Sequence, residues 1–297
     1  MLILPDNIDS RELIDTIREL SWDVAKIFKS YNLGNRSPEQ FKNKLNINYL
    51  DSGPVTAVDI EISELIKNRI RKKYTQQKWE FLSEEDTKSD KNRIFQSKWV
   101  WIIDPLDGTK DFIKGTGEYA MHLALSYEKD IILGIVLIPH KNQLWISIKG
   151  QGTWYENQDS LVNKPVNKEF RNLNELKILT SKSHVHPKFN ALLGYINPEK
   201  IIGMGSIGYK ISSILSGSGD LYISYALPNG SCPQDWDMAA PLGLIKEAGG
   251  HFTDIEGRNL EFLKDGNFDQ GGILVASMTS NHREICNEIS KILKVID

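Results

Sequence analysis

Trp99-Val100-Trp101-Ile102-Ile103-Asp104-Pro105-Leu106-Asp107-Gly108-Thr109-Lys110-Asp111-Phe112 is the densest signal in the chain. Five apolar residues in a row predict a buried strand, which delivers Asp104 at its carboxyl end. Pro105 then stops the ladder and Gly108 permits a tight turn. That turn holds two carboxylates and, between them, the backbone carbonyl of Leu106. Hard divalent cations such as Mg²⁺ take oxygen ligands, and these three oxygens can be aimed at one point. A short helical turn starting near Thr109 would add free amides facing the same point, where a phosphate can bind. Taken alone, Asp-x-x-Asp-Gly-Thr also reads as a turn built from ordinary turn residues.

Two further acidic stretches add weight. Phe81-Leu82-Ser83-Glu84-Glu85-Asp86 places carboxylates immediately after a strand predicted at Trp79 to Leu82. Gln234-Asp235-Trp236-Asp237-Met238-Ala239-Ala240 opens a predicted helix with an aspartate beside Trp236. An acidic strand end is often only solvated, and Asp235 by itself reads as a helix N-cap. The argument rests on the three stretches together.

Working outward, apolar residues recur three or four apart from Asn7 to Tyr31 and from Thr56 to Tyr74, predicting two amphipathic helices, the second carrying Asp59 near its start. The period then changes. Strands are predicted at Trp79 to Leu82, Trp99 to Ile103, Tyr119 to Tyr127, Ile131 to Ile138 and Gln143 to Ile148, an antiparallel sheet beside two helices. The stretch from Gln151 to Asn172 is polar and weakly patterned, and Thr180 to Pro187 is polar again. A boundary near Asn172 would divide the chain into an α+β unit over 1–172 and an α/β unit over 173–297. In the second unit strands at Lys177 to Leu179, Ile201 to Ile202, Leu221 to Tyr225, His251 to Thr253 and Gly272 to Ala276 alternate with helices at Ile207 to Leu215, Asp235 to Ala248 and Asn281 to Val295. Such alternation indicates a layered half.

Composition sets the outer limits. The 297 residues are 40% hydrophobic and 25% charged, which argues against a disordered, collagenous or coiled-coil chain. With 36 Lys and Arg against 39 Asp and Glu the net charge is −3, too balanced for binding a nucleic-acid polymer by bulk counterion release. Cys232 and Cys286 are too few for a disulfide framework. The start of the sequence lacks the basic and apolar regions of a signal peptide, so a cytoplasmic location is expected. The longest apolar run, Ile131 to Pro139, is interrupted by Gly134 and falls well short of the roughly 20 residues of a membrane helix.

With these residues in place, the chain resembles the Mg²⁺-dependent, lithium-sensitive phosphomonoesterase superfamily that includes inositol monophosphatases, fructose-1,6-bisphosphatases and 3′(2′),5′-bisphosphate nucleotidases. Its signature is an Asp-Pro-hydrophobic-Asp-Gly-Thr run after a strand, a later Trp-Asp before Ala-Ala, and a Glu-Glu pair upstream. All three stand here in order. The resemblance implies a mixed α+β and α/β fold, the layered αβαβα sandwich of the sugar-phosphatase, inositol monophosphatase-like type, with the site in the cleft between halves. It also implies two or three Mg²⁺ ions per site and inhibition by Li⁺. Glu84, Asp104, the Leu106 carbonyl, Asp107 and Asp237 are then the expected metal ligands, with Glu85 as second choice for Glu84. Asp59, in Val55-Thr56-Ala57-Val58-Asp59, resembles the family's Val-Thr-x-x-Asp aspartate and would hold a further metal and its water. Thr109 would orient or activate the attacking water. Such a site needs no Cys, His or Ser nucleophile, and no covalent phosphoenzyme is expected.

Details of the resemblance bear on substrate. Lys110 after Asp-Gly-Thr, Gly205-Ser206-Ile207-Gly208-Tyr209-Lys210, Gly219-Asp220-Leu221-Tyr222 and Ala248-Gly249-Gly250-His251-Phe252-Thr253-Asp254 look like bisphosphate nucleotidases of the animal type. Gly108, Thr109 and Lys110 are then expected at the substrate, and Gly205, Ser206 and Lys210 beside a second, non-scissile phosphate. Lys210 also reads as a solvated helix lysine. The implied reaction is removal of the 3′-phosphate of adenosine 3′,5′-bisphosphate, and of 3′-phosphoadenylyl sulfate, which belongs to sulfur metabolism. The alternatives are inositol monophosphatase, inositol polyphosphate 1-phosphatase or fructose-1,6-bisphosphatase activity on the same metals, and, outside catalysis, a phosphate-binding regulator on this fold. The expected partner is a small phosphorylated molecule, for a monomer or homodimer that binds no membrane.

Three other patterns carry less. Gly203-Met204-Gly205-Ser206-Ile207-Gly208 matches a dinucleotide fingerprint, but no acid follows about 20 positions later, Asp220 being only 12 past Gly208. His184-Val185-His186 has metal-like spacing without further ligands in order. Trp99, Trp101 and Trp145 sit in apolar strands and read as core. A haloacid-dehalogenase site would need Asp-x-Asp, whereas Asp104 and Asp107 are three apart.

Overall fold

A computed structural model of the chain describes residues 4–5, 7–32, 48–50, 53–87, 93–159, 162–166, 170–182, 186–226, 232–264 and 269–296. Helix α1 (Ser10–Asn32) is followed by a short antiparallel pair, β1 (Asn48–Leu50) and β2 (Gly53–Val55), and by α2 (Ala57–Lys73). A seven-stranded sheet then runs in order β3 (Glu80–Ser83), β4 (Trp99–Asp107), β5 (Ala120–Tyr127), β6 (Asp130–Ile138), β7 (Gln143–Ile148), β8 (Gly152–Glu156) and β9 (Val162–Asn163). Single helical turns, α3 (Glu84–Thr87) and α4 (Thr109–Lys114), follow β3 and β4. The second sheet contains β10 (Lys177–Ser181), β11 (Lys200–Met204), β12 (Leu221–Tyr225), β13 (His251–Asp254) and β14 (Ile273–Ser277) in the order β11-β10-β12-β14-β13. Its helices are α5 (Pro187–Ile196), α6 (Ile207–Leu215), α7 (Asp235–Glu247) and α8 (His282–Ile296).

The alternation of side chains along the strands builds five layers. Trp101, Ile103, Leu123 and Leu125 on one face of the first sheet pack against Leu13, Ile17 and Phe28 of α1 and Ile62 and Ile66 of α2. The opposite face, with Val100, Ile102, Ala124 and Val136, meets Ile211 and Ile214 of α6 and Met238 and Leu244 of α7. The same cluster continues into Leu179, Tyr222, Phe252 and Leu274 of the second sheet. Ile178, Leu221, Ile223 and Val275 on that sheet's far face are covered by Phe189 and Leu192 of α5 and Ile285 and Ile289 of α8. The result is the αβαβα sandwich expected. Gly134 lets the middle layer seat closely, since a Cβ there would lie 2.7 Å from Ser147 Oγ and 2.9 Å from the Ala240 carbonyl of α7. Among the described residues no helix is long and apolar enough to cross a membrane.

Several sequence expectations need correction. The first sheet is antiparallel from β4 onward, but β3 joins β4 in parallel, and β3 begins at Glu80, one residue later than read. The ladder does not stop at Pro105, because β4 continues to Asp107. Strands β8 and β9 lie inside the stretch read as unpatterned. Two buried slots of β8 carry polar residues, Thr153 donating to Leu244 O at 2.6 Å and Glu156 accepting from Arg18 Nε at 2.7 Å. Helix α5 was also unread, although Pro187 at its start and buried Phe189, Leu192, Leu193 and Ile196 are a helical pattern. His186 is its N-cap, accepting from Lys188 N at 3.2 Å, while His184 and Val185 lie outside the described residues.

Candidate metal centre

Two residues three apart on a regular strand face opposite sides. In β4 Asp104 pairs with His122 and Asp107 with Ala120, so Pro105 and Leu106 oppose the single residue Met121. This bulge re-aims the second aspartate. One ligand atom each of Asp104, Asp107 and His122 all lie within 4.8 Å of one another. Leu106 N donates to Asp104 Oδ1 at 3.0 Å, which fixes the carboxylate under the turn. Gly108 follows at φ 92°, a left-handed conformation open to glycine, and a Cβ there would sit 3.0 Å from Glu118 O.

The other acids arrive from helix starts. Asp59 closes a capping box in α2: its Oδ2 accepts from Thr56 N at 2.9 Å and Thr56 Oγ1 at 2.5 Å. Its other oxygen lies 3.5 Å from Thr109 Oγ1, which also donates to Leu106 O at 3.1 Å. Asp237 closes the equivalent box in α7, accepting from Gln234 N at 2.6 Å. Glu84 begins α3 and lines the same cavity as Asp107 and Asp237. Its charge acts on Asp104, whereas that of Glu85 acts on Asp59. Asp235 turns elsewhere, accepting from Leu263 N and Gln270 Nε2, each at 2.6 Å, and Gln234 takes the N-cap place expected for it.

Crowded carboxylates in a desolvated place resist ionisation. Burial pushes the Asp59 carboxyl up to about 6, with Glu85 adding to the effect. Desolvation and the neighbouring Asp107 push Asp237 up to about 7. Asp104 is raised well above the carboxylate range by burial and by Glu84, Asp107 and Asp237. Carboxylates kept from ionising by burial and then by their mutual repulsion, with one strand-end carbonyl beside them, fit a hard divalent cation such as Mg²⁺. His122 is fully buried, with Nε2 3.3 Å from Asp107 Oδ2, and burial lowers its pKa.

The residues expected at substrate fall into two groups. Gly108, Thr109, Lys110, Gly205 and Lys210 line the cavity with the acids. Ser206 is buried as the N-cap of α6, its hydroxyl donating to Asp107 Oδ2 at 2.7 Å, with Ile207 N at 2.5 Å from the same oxygen. Lys210 is 1% exposed, its ammonium bound to the carbonyls of Gly205 and Ser206, and burial lowers its pKa to about 8.

Sequence reasoning missed His122, a polar residue flanked by apolar neighbours in β5. It also missed Lys182, just past β10, whose Nζ is 2.7 Å from Glu118 Oε2 and 3.3 Å from Asp111 Oδ1. The cavity is also lined by Phe189 and Tyr225. These two rings lie 5.5 Å apart, and Tyr225 stacks on His186 at 5.7 Å.

The sequence model of the inositol monophosphatase family matches residues 9–294. The chain is 29% identical over 226 residues to the 3′(2′),5′-bisphosphate nucleotidase CysQ of Escherichia coli K12, covering 76% of this chain and 86% of that protein. It is 26% identical over 251 residues to inositol monophosphatase 1 of Xenopus laevis, covering 82% and 80%. Among solved structures, the extragenic suppressor protein suhB from Bartonella henselae shares the fold with a TM-score of 0.72 at 22% identity, over 95% of this chain and 98% of that one.

Proposed function

The chain belongs to the inositol monophosphatase family, and on that premise we propose that it hydrolyses the 3′-phosphate of adenosine 3′,5′-bisphosphate, and of 3′-phosphoadenylyl sulfate. At the level of the family it is a Mg²⁺-dependent phosphomonoesterase acting on small phosphorylated substrates. Glu84, Asp104, the Leu106 carbonyl, Asp107, Asp237 and Asp59 would hold the metal, as two or three ions. Bound there, Mg²⁺ supplies a water of lowered pKa and neutralises charge on the phosphoryl and leaving oxygens.

The chain's own groups set the direction of attack. Thr109 Oγ1 lies within reach of both Asp59 and the Leu106 carbonyl, so its hydrogen is directed to an acceptor and its lone pairs can receive a water's hydrogen. Asp59, whose Oδ1 lies 3.5 Å from Thr109 Oγ1, accepts the water's proton through that hydroxyl as the new O–P bond forms. The bond from phosphorus to the ribose 3′-oxygen breaks in line, and the departing oxygen takes a proton from solvent.

One observation carries the nucleotide reading over the sugar readings. The cavity lined by Glu84, Asp107 and Asp237 also takes in Tyr225, a partly exposed ring backed by the buried Phe189 at 5.5 Å, and an aromatic ring suits the π-face of a base. An inositol or fructose ring offers no such face. The similarity to a bisphosphate nucleotidase supports the same choice. Phosphate release from adenosine 3′,5′-bisphosphate, inositol 1-phosphate, inositol 1,4-bisphosphate and fructose 1,6-bisphosphate tests it: the first is expected to have the highest kcat/KM, and preference for an inositol or sugar ester overturns it. Inhibition by millimolar Li⁺ is expected alongside, and the proposed subgroup loses support if turnover is insensitive to it.

A further inference from the structure

Lysines 110, 182 and 210 line the cavity that carries the acids. They are not equivalent. Lys210 is fixed inside the first turns of α6 by two backbone carbonyls. Lys110 stands on α4 beside Thr109, at the end where the ester would be cut. Lys182 lies past the carboxyl end of β10, its ammonium 3.3 Å from Asp111 of α4 and its side chain 38% exposed.

The partners of Lys182 do not depend on it. Glu118 Oε2 also accepts from Gly205 N at 2.8 Å, and Asp111 Oδ1 from Thr116 Oγ1 at 2.8 Å. Both carboxylates therefore keep a donor if the ammonium leaves. The Lys182 side chain is 38% exposed against 13% for Asp111 and 23% for Glu118, so the flexible stem can swing while its partners keep their place. A phosphate offers several charged acceptor oxygens, so an ammonium that turns to it exchanges its charge-assisted bonds to carboxylates for bonds of the same kind. Cavity, exposure and replaceable partners coincide at this one lysine.

We infer that Lys182 recognises the second anionic group of the substrate, the one that is not cleaved, by turning its ammonium from Glu118 and Asp111 toward it. The inference rests on the nucleotide reading above. Lys182 thereby selects esters that carry two separated anions, and it takes no part in breaking the bond. The product adenosine 5′-monophosphate retains that second anion and is held by the same contact.

Lys182→Met and Lys182→Arg are assayed on adenosine 3′,5′-bisphosphate and on adenosine 3′-monophosphate, which lacks the second anion. For Lys182→Met we expect KM for the bisphosphate to rise about tenfold or more, with kcat within about twofold, and inhibition by adenosine 5′-monophosphate to weaken in parallel. Turnover of the monophosphate stays as in the parent protein, which also reports an intact fold, and Lys182→Arg recovers most of the bisphosphate affinity. Equal losses on both substrates, or no loss on either, overturn the inference while leaving the nucleotide reading intact. A parent protein that prefers an inositol ester overturns both.

Discussion

Ser206 donates its hydroxyl to Asp107 Oδ2 at 2.7 Å, across 99 positions of sequence. Ile207 N and Gly208 N reach the same oxygen at 2.5 and 3.3 Å, so the first turn of α6 grips an acid that β4 supplies. Asp107→Asn keeps the shape but removes the charge a divalent cation needs. Turnover should fall to the uncatalysed background while circular dichroism and thermal unfolding remain close to those of the parent. Undiminished phosphate release would remove Asp107 from the mechanism. Ser206→Ala deletes one donor of three and should lower kcat/KM by about tenfold, the value of one hydrogen bond to a charged group.

Metal dependence of stability should grow with pH. Asp59, at about 6, and Asp237, at about 7, titrate above the unfolded value of 3.8, and Asp104 is raised as well. For a carboxyl raised in the folded state, stability is fully present below the unfolded pKa and is lost as pH rises through the folded one. Between pH 4 and 7 these groups therefore destabilise the metal-free protein progressively. In chelator the apparent Tm should lose ground over that window relative to the Mg²⁺-bound protein. At pH 8 a hundredfold excess of Mg²⁺ over its Kd should add about 2.7 kcal/mol, or roughly 5 °C. An increment that is the same at pH 5 and pH 8 would show that these carboxyls are not what the cation neutralises.

The second sheet carries its own acid limit. His282 is 3% exposed, its ring held between Ser277 Oγ at 2.8 Å and Thr253 Oγ1 at 2.9 Å. Burial and the stacked His251 lower its pKa from 6.5 to about 4. A histidine depressed in the folded state contributes stability above pH 6.5 that is lost on acidification toward 4, up to about 3 kcal/mol. His282→Gln should be less stable at pH 7 by about 1–3 kcal/mol, having lost one ring nitrogen's partner, yet change less between pH 7 and 5. Urea unfolding at the two pH values reads both effects, and parallel pH profiles for parent and variant would clear His282 of the role.

Gly134→Ala tests the spacing of the middle layer. The added Cβ would press on Ser147 Oγ and the Ala240 carbonyl, so the cost expected is about 1–3 kcal/mol of unfolding free energy. A neutral substitution would mean that α7 can lift from the sheet, and Mg²⁺ affinity should then drop because Asp237 rides on that helix.

What could be read from residues alone was whatever is contiguous. The β4 run, the Glu-Glu pair and the Trp-Asp helix start are local patterns, and the layered architecture follows from periodicity together with resemblance. Features set by distant partners were hidden. Thr153 and Glu156 are buried because Leu244 and Arg18 satisfy them, so β8 shows no apolar alternation. His122 faces Asp104 only through strand pairing. Lys182 meets Asp111 across 71 positions, which no local pattern can encode. The bulge was half legible: Pro105 signals an interruption, but only the register against Met121 tells that the strand resumes. Helix α5, by contrast, is local: Pro187 at its start and the spacing of Phe189, Leu192, Leu193 and Ile196 carry its pattern.

The middle layer has a bearing on how the molecule comes to be made. Both of its helices, α6 and α7, come late in the chain, yet they cover Val100, Ile102, Ala124 and Val136 of a sheet completed by residue 163. A nascent chain released from the ribosome up to that point would present a greasy β-surface to solvent, a recognised hazard for aggregation. Biogenesis of this fold therefore calls for shielding of its first half until the second emerges, and truncation upstream of α7 should yield insoluble product.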